Sequence, residues 1–550
     1  MTFEREVLNA EGGSWNLPPN IYSSGKVQGL YSPNQFVVRI SPELQDHLTA
    51  VTTGVYQVSD LGSDVISAFS TYLHETIHWW QHVGSSLGLI LSMCYPAQAH
   101  VTHKDLKYLL GKIGPKKSLR SFHLRHSGSL STDIEQSFNR TLNYWHDIEF
   151  GYRLLLSPES SRKWDADTYF ECIGHHYHII WGTCLSVISG TVDPSLKVLP
   201  DGRKWDKEFA DLRNQKVEGY YYGSPVLLPP LGAMEIFEGQ ARFSQLQFLH
   251  FSSSASLNWE DFRSLGMLHG IYVSAFKVFL ELIEEPWPSS IDDPLVALFL
   301  LVCELAINPT EGFPFDIRYF ESFIYDVDPG FRFYLFTQTI KKKDPSLKTA
   351  ITNYSKEEYI AASEVLCRAG AYYPPLLAAE EVGTWPQKSS EVAKLMEEDA
   401  SFRFTSTNLP VRVFLSRYIS FQRDKLRHPE LFTWPGVWFV DREDQKLPLK
   451  DALQVFNRNV PLFVDAPDGE IRPSLIPGRA EADIHETFTQ FYMWNANYNM
   501  IRQWIVEDGP FKLDFGWLTK RYTKDEMHSW ATDIFSKSFG VKPSEFTLVN

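Results

Sequence analysis

Residues 74–78 read His-Glu-Thr-Ile-His. On a helix, four residues advance about 6 Å and about 400°, so His74 and His78 leave one face a turn apart, where two imidazole nitrogens can grip one metal ion. Borderline-soft Zn(II) takes imidazole nitrogen, and a catalytic zinc keeps three protein ligands and leaves its fourth position to water. Glu75, beside the first imidazole, is placed to take a proton from that water, which makes it a general base rather than a ligand. The metal would polarise a scissile carbonyl and Glu75 would return the proton to the leaving amine. The expected reaction is hydrolysis of an amide bond in a peptide or protein by metal-activated water, with one Zn2+ per chain.

With 17 histidines in 550 residues, an accidental HExxH is expected in about 3 of 100 such chains, so the context of the motif matters. Val65, Ile66, Phe69, Leu73, Ile77 and Trp80 recur at three- and four-residue steps, and Gly84 is a suitable stop. The motif therefore falls on a helix. Trp79 and Trp80 suit a buried wall behind a site.

The run HETIHWWQHVG resembles the HExxHxxQ-type active-site helix of zincin metalloproteases. The resemblance implies a zincin-like catalytic domain with His74 and His78 as zinc ligands and Glu75 as base. The sequence departs from the metzincin pattern, because WWQHVG follows His78 in place of xxGxxH. In gluzincin-type enzymes, which the motif helix resembles, the third ligand is a glutamate on a later helix, and the segment MEIFEGQARF (234–243) offers Glu238. A glutamate among Ile236, Phe237 and Phe243 is costly to bury unpaired, and a cation would explain it. Glu235 is an alternative ligand or a partner that orients a ligand histidine. His178 of GHHYH (174–178) is a further alternative, completing a three-histidine site. His82 sits about 12 Å along the axis from His74 and cannot share one ion with it. For transition-state stabilisation the sequence offers Tyr220, Tyr221, Tyr222 and His269 without choosing among them.

The elements that must position these residues are mostly helical. Turn signals at Gly12, Gly13, Pro18, Pro19 and Pro33 surround a strand over Gln35–Ile40, which predicts a small N-terminal sheet beside the motif helix. Helical periodicity follows at 86–110, 132–156, 165–190, 230–252, 258–284 and 291–307, then again at 479–506 and 523–538. GVWFVD (436–441) and PLFVD (461–465) read as strands, with a turn at Asp468-Gly469. The fold class expected is mainly α (α+β). Pro and Gly in 308–316 and 382–390 suggest three units: 1–310 as the zincin-like metallopeptidase domain, 311–385 as a helical connecting region, and 386–550 as a C-terminal α+β region.

A net charge of -15 gives a phosphate backbone or an anionic membrane nothing to bind, so neither nucleic acid nor membrane is an expected partner. The local exception is KKSLRSFHLRH (116–126), a basic run that could meet an acidic partner, and a regulatory protein partner tied to no segment is a further expectation. Five cysteines without a CxxC pair suit a reducing compartment. No signal-like N-terminus or bilayer-length apolar run is visible, and the expected location is cytoplasmic. Two other readings compete. A ferritin-like diiron oxidoreductase would use Glu75 and His78 as half a centre, but it needs a second ExxH helix that the sequence lacks. A non-catalytic helical interaction protein would use the aromatic residues for contacts.

Overall fold

The computed structural model describes residues 29–49, 62–161, 167–225, 227–440, 447–466, 468–476 and 478–549. Helix accounts for 66% of the chain and strand for 4%, which is the mainly helical class the periodicity indicates. The turn signals at Gly12, Gly13, Pro18 and Pro19 lie outside the described residues. The elements used below are β1 (Gly29–Ser32), β2 (Val37–Ile40), α1 (Ser63–Gly84), α2 (Ser86–Ile113), α3 (Thr132–Leu156), α4 (Ile173–Val192), α5 (Ala233–Ser252), α6 (Ile271–Ile283), α7 (Pro294–Ala306), α8 (Leu409–Arg427), β3 (Phe463–Asp465), β4 (Ile471–Pro473), α9 (Glu481–Val506) and α10 (Lys524–Phe539).

Every residue of α1 from Leu73 to Gly84 is buried, polar ones included. The helix ends where a larger residue would not fit, since a Cβ on Gly84 would come within 2.5 Å of the Phe421 ring of α8. Ser85 makes the corner: its hydroxyl donates to the Gln81 carbonyl at 2.5 Å and accepts from the Gly88 N–H at 2.9 Å, closing α1 and capping α2. Helix α5 lies against α1 on one side and against α6 and α7 on the other. α7, PLVALFLLVCELA, is apolar all round and buried from Leu295 to Ala306, as a central helix must be. Its one charge, Glu304, pairs with the buried Lys425 of α8 and accepts from the Tyr359 hydroxyl at 3.1 Å.

The larger of two sheets has the order β1-β2-β3-β4; the smaller pairs Lys116–Lys117 with Thr547–Leu548. β1 and β2 form an antiparallel hairpin with Gly29 opposite Ile40 and Ser32 opposite Val37. β2 pairs in parallel with β3 at Val38 and Val464, and β3 pairs antiparallel with β4 across the Asp468-Gly469 turn, where Gly469 has φ 78°. The N-terminal strands and the 461–473 strands therefore share one sheet. Asp465 fixes the join, its Oδ1 accepting from the Ile40 N–H and from Gln45 Nε2, each at 2.9 Å.

One apolar cluster runs from Tyr31 to Leu518 and continues across residues 310 and 385. A second joins Leu106, Phe138 and Trp145 of α2 and α3 to Trp504, Phe535 and Phe539 of α9 and α10. No helix among the described residues is long and apolar enough to cross a membrane.

Three elements differ from the sequence expectation, the first being the 165–190 pattern, which is helical only from Ile173, with 167–172 in turn and coil. The 258–284 pattern is two helices, Trp259–Ser264 and α6, separated by a loop in which Gly266 and Gly270 have φ of 71° and 55°. Apolar residues at helical spacing carried the pattern through, while two left-handed glycines break the backbone there. GVWFVD is not a strand: Pro435–Trp438 is a helical turn, and a Cβ on Gly436 would lie 2.1 Å from the Ser244 carbonyl of α5. A short buried apolar run has no period that tells helix from strand, and packing against α5 decides it.

Candidate metal centre

Helix α1 presents His74 and His78 to α5, which answers with Glu238. The three donor atoms form a near-equilateral triangle: 3.2 Å between the two Nε2 atoms, 3.5 Å from His74 Nε2 to Glu238 Oε2 and 3.4 Å from His78 Nε2 to the same oxygen. Ligands at zinc distances of about 2.0–2.1 Å in tetrahedral array stand about 3.3–3.4 Å apart, so the triangle has the edges of one tetrahedral face. The buried Glu238 Oε2 receives no hydrogen bond, which is the state of an oxygen reserved for a cation. The donor set, two imidazole nitrogens and one carboxylate oxygen, suits zinc. Among the described residues this is the only group of three such donors close enough to hold one ion.

The surroundings orient the donors. His78 Nδ1 lies 2.8 Å from Gln81 Oε1 and donates to it, which leaves Nε2 as the nitrogen turned to the centre. Gln81 Nε2 donates in turn to the Phe237 carbonyl at 3.0 Å and to Gln240 Oε1 at 2.9 Å, tying α1 to the turn of α5 that carries Glu238. The glutamine of the HExxHxxQ pattern thus positions both a histidine and the neighbouring helix.

Burial lowers His74 to about 4. Burial also opposes charge on His78, but the Glu238 carboxylate outweighs it and holds His78 up at about 9. Burial pushes Glu238 up, and the His78 and His74 imidazoles more than reverse this, keeping its carboxyl well below the usual carboxylate range.

Glu75 is 5% exposed and turns toward β1. A Cβ on Gly29 would fall 2.7 Å from its Oε1, and the Tyr31 backbone N–H donates to its carboxylate. Burial raises Glu75 to about 7, with His78 pulling the other way. A carboxyl near neutrality is suited to taking up and releasing a proton. The triad and Glu75 open onto a cleft of about 800 Å³ between β1, α1, α5 and the 265–272 segment.

The alternatives of the sequence lie elsewhere. Glu235 accepts from the Gly232 N–H at 2.9 Å and caps α5. His178 Nε2 stands 3.1 Å from Asp206 and its ring stacks on Phe209, while His175 and His176 of the same cluster face the buried Asp147 at 3.2 and 2.7 Å. His82 points Nδ1 at the His78 carbonyl, 2.9 Å away, and its ring faces Tyr31 on the cleft wall. Tyr220 donates to the Phe320 carbonyl and Tyr222 is 79% exposed; neither lines the cleft, whereas His269 does. Of the basic run, Lys117 is buried and donates to the carbonyls of Glu507 and Gly509, and Arg120 pairs with Asp167.

Two cleft residues were missed from the sequence. Tyr272 stands edge-on to His74 with ring centroids 6.0 Å apart, and burial pushes its hydroxyl up to about 12. Arg242 packs over Tyr272 at 4.0 Å. Arg242 lies four residues beyond Glu238, a spacing that puts it on the same helix face and could have found it. The chain matches no protein-family model, no curated protein and no solved structure, so its functional reading rests on this geometry.

Proposed function

We propose that the chain is a zinc-dependent metallohydrolase of zincin-like, gluzincin-like type that cuts peptide amide bonds. The observation that carries this reading is the triangle of His74 Nε2, His78 Nε2 and Glu238 Oε2, with Glu75 beside it on the same cleft. A zinc ion held by these three residues would supply Lewis acidity, polarising a carbonyl and lowering the pKa of water. Glu75 then takes the proton of the attacking water and passes it to the leaving amine. β1 is an edge strand of the sheet among the described residues and lines the cleft with Gly29, Leu30 and Tyr31, a rail along which an extended peptide can lie. The apolar cleft excludes water from the rest of the substrate.

The diiron alternative is not favoured, because it calls for donors to a second ion and no second three-donor group occurs among the described residues. The test is metal analysis together with Glu75→Gln. One zinc per chain is expected in both proteins, with peptide hydrolysis by the variant reduced about 100- to 10,000-fold. Full activity of Glu75→Gln, or two irons per chain, overturns the reading.

A further inference from the structure

Apolar side chains dominate the cleft wall, among them Ile66, Met234, Phe237, Leu249, Leu257 and Met267. Into this wall α5 places a guanidinium: Arg242 is the only lysine or arginine among the described residues that line the cleft. It sits one helical turn beyond Glu238, on the same face. Its plane is fixed twice over. It stacks on Tyr272 with Cζ 4.0 Å from the ring centroid, and one terminal nitrogen donates to Gln245 Oε1 at 2.6 Å. Gln245 donates in turn to the Ser70 hydroxyl of α1 at 3.2 Å, so the guanidinium is braced against both helices that carry the triad.

What this cation lacks is an anion. Its Nε is buried without an acceptor, and no carboxylate of the described residues lies within ion-pair distance of it. Glu238 faces the two imidazoles and Glu75 turns toward β1. A half-buried guanidinium whose Nε is left without an acceptor is a ready fork for a carboxylate, which it can hold through two parallel hydrogen bonds.

We infer that Arg242 receives a carboxylate of the substrate, so that the centre acts on peptides carrying a carboxylate within about three residues of the bond it cuts. The inference rests on the hydrolase reading above and names the substrate class of that site. The span follows from two steps, 6.0 Å from His74 to Tyr272 and 4.0 Å from Tyr272 to Arg242, against an extended-chain rise of about 3.3 Å per residue. The carboxylate is either the peptide's own C-terminus or an aspartate or glutamate side chain.

The test uses the full chain carrying Glu75→Gln and loaded with zinc, so that bound peptide is not consumed. Calorimetric titration is made with N-acetyl-Ala-Leu-Ala-Ala as free acid and as C-terminal amide, and with the amide bearing Asp or Asn at its third residue. The free acid or the Asp peptide is expected to bind about 10- to 100-fold more tightly than its neutral counterpart. Whichever pair shows the difference identifies the source of the carboxylate. Arg242→Gln in the same background is expected to abolish the preference at unchanged zinc content, and Arg242→Lys to keep part of it. Equal binding of charged and neutral peptides, no binding of any of them at millimolar concentration, or a preference that survives Arg242→Gln overturns the inference. Incubating the same peptides with the wild-type zinc protein separates the two readings. Cleavage without preference leaves the hydrolase and removes the role of Arg242; preference without cleavage leaves a carboxylate site and removes the hydrolase.

Discussion

Gln81 stands between His78 and Gln240, accepting from the imidazole at 2.8 Å and donating to the second amide at 2.9 Å. This side chain holds a donor of α1 while gripping the turn of α5 beside the third donor. Gln81→Leu is therefore expected to weaken zinc binding about 10- to 100-fold, the usual effect of removing a partner that orients a ligand histidine. Competition with a chromogenic chelator measures it, and an unchanged dissociation constant would show that Gln81 only fills space.

Gly29 has room for no side chain where β1 meets Glu75. A methyl there displaces the carboxylate or the strand, and a misplacement of about 1 Å can cost about 100-fold in rate. Gly29→Ala is expected to lower kcat/KM by about tenfold or more while zinc content stays at one per chain. Loss of zinc in parallel with loss of rate would place the damage in the triad instead.

Glu304 and Lys425 are buried partners between α7 and α8. Glu304→Leu leaves an unpaired ammonium in the core and is expected to destabilise the protein by about 3–5 kcal/mol. Glu304→Leu with Lys425→Leu removes both charges and is expected to recover most of that loss. Urea midpoints of the wild type, Glu304→Leu and the double variant give the answer; a double variant as weak as the single one would assign the cost to packing.

Asp465 gives the pH dependence a sign. Burial raises it to about 7, against about 3.9 in an unfolded chain. Between these values the native state keeps a proton that the unfolded state has lost, so stability contributed by this group is full below about pH 4 and falls until about pH 7. Asp465→Asn retains an acceptor for Ile40 and Gln45 and removes the titration. The variant is expected to gain on the wild type as pH rises from 5 to 8, by an amount on the order of 2 kcal/mol, read from urea midpoints at both pH values. A constant difference between the two proteins would assign the pH dependence to other groups.

What the sequence made legible was local. His74, Glu75 and His78 declare themselves by helical spacing, and the helices at 132–156 and 479–506 by their period, because both signals are written within a few turns of one segment. Glu238 was reached only through a resemblance, and whether it or Glu235 faced the histidines turned on how α5 rolls against α1. Tyr272 escaped because the loop that brings it to the cleft hangs on the left-handed glycines Gly266 and Gly270, hidden inside a pattern that reads as continuous helix. The pairing of Val38 with Val464 had no local trace, since strand partners more than 400 residues apart leave no mark in either segment.

That pairing sets an order of events during synthesis. The N-terminal hairpin that carries Gly29 and Tyr31 to Glu75 has its far edge covered by Phe463–Asp465, which leaves the ribosome more than 400 residues after it. A nascent chain can assemble the histidine pair and then Glu238 well before it gains the strand that covers the hairpin beside Glu75. Under the proposed hydrolase reading, competence would accordingly wait for Phe463–Asp465 to emerge.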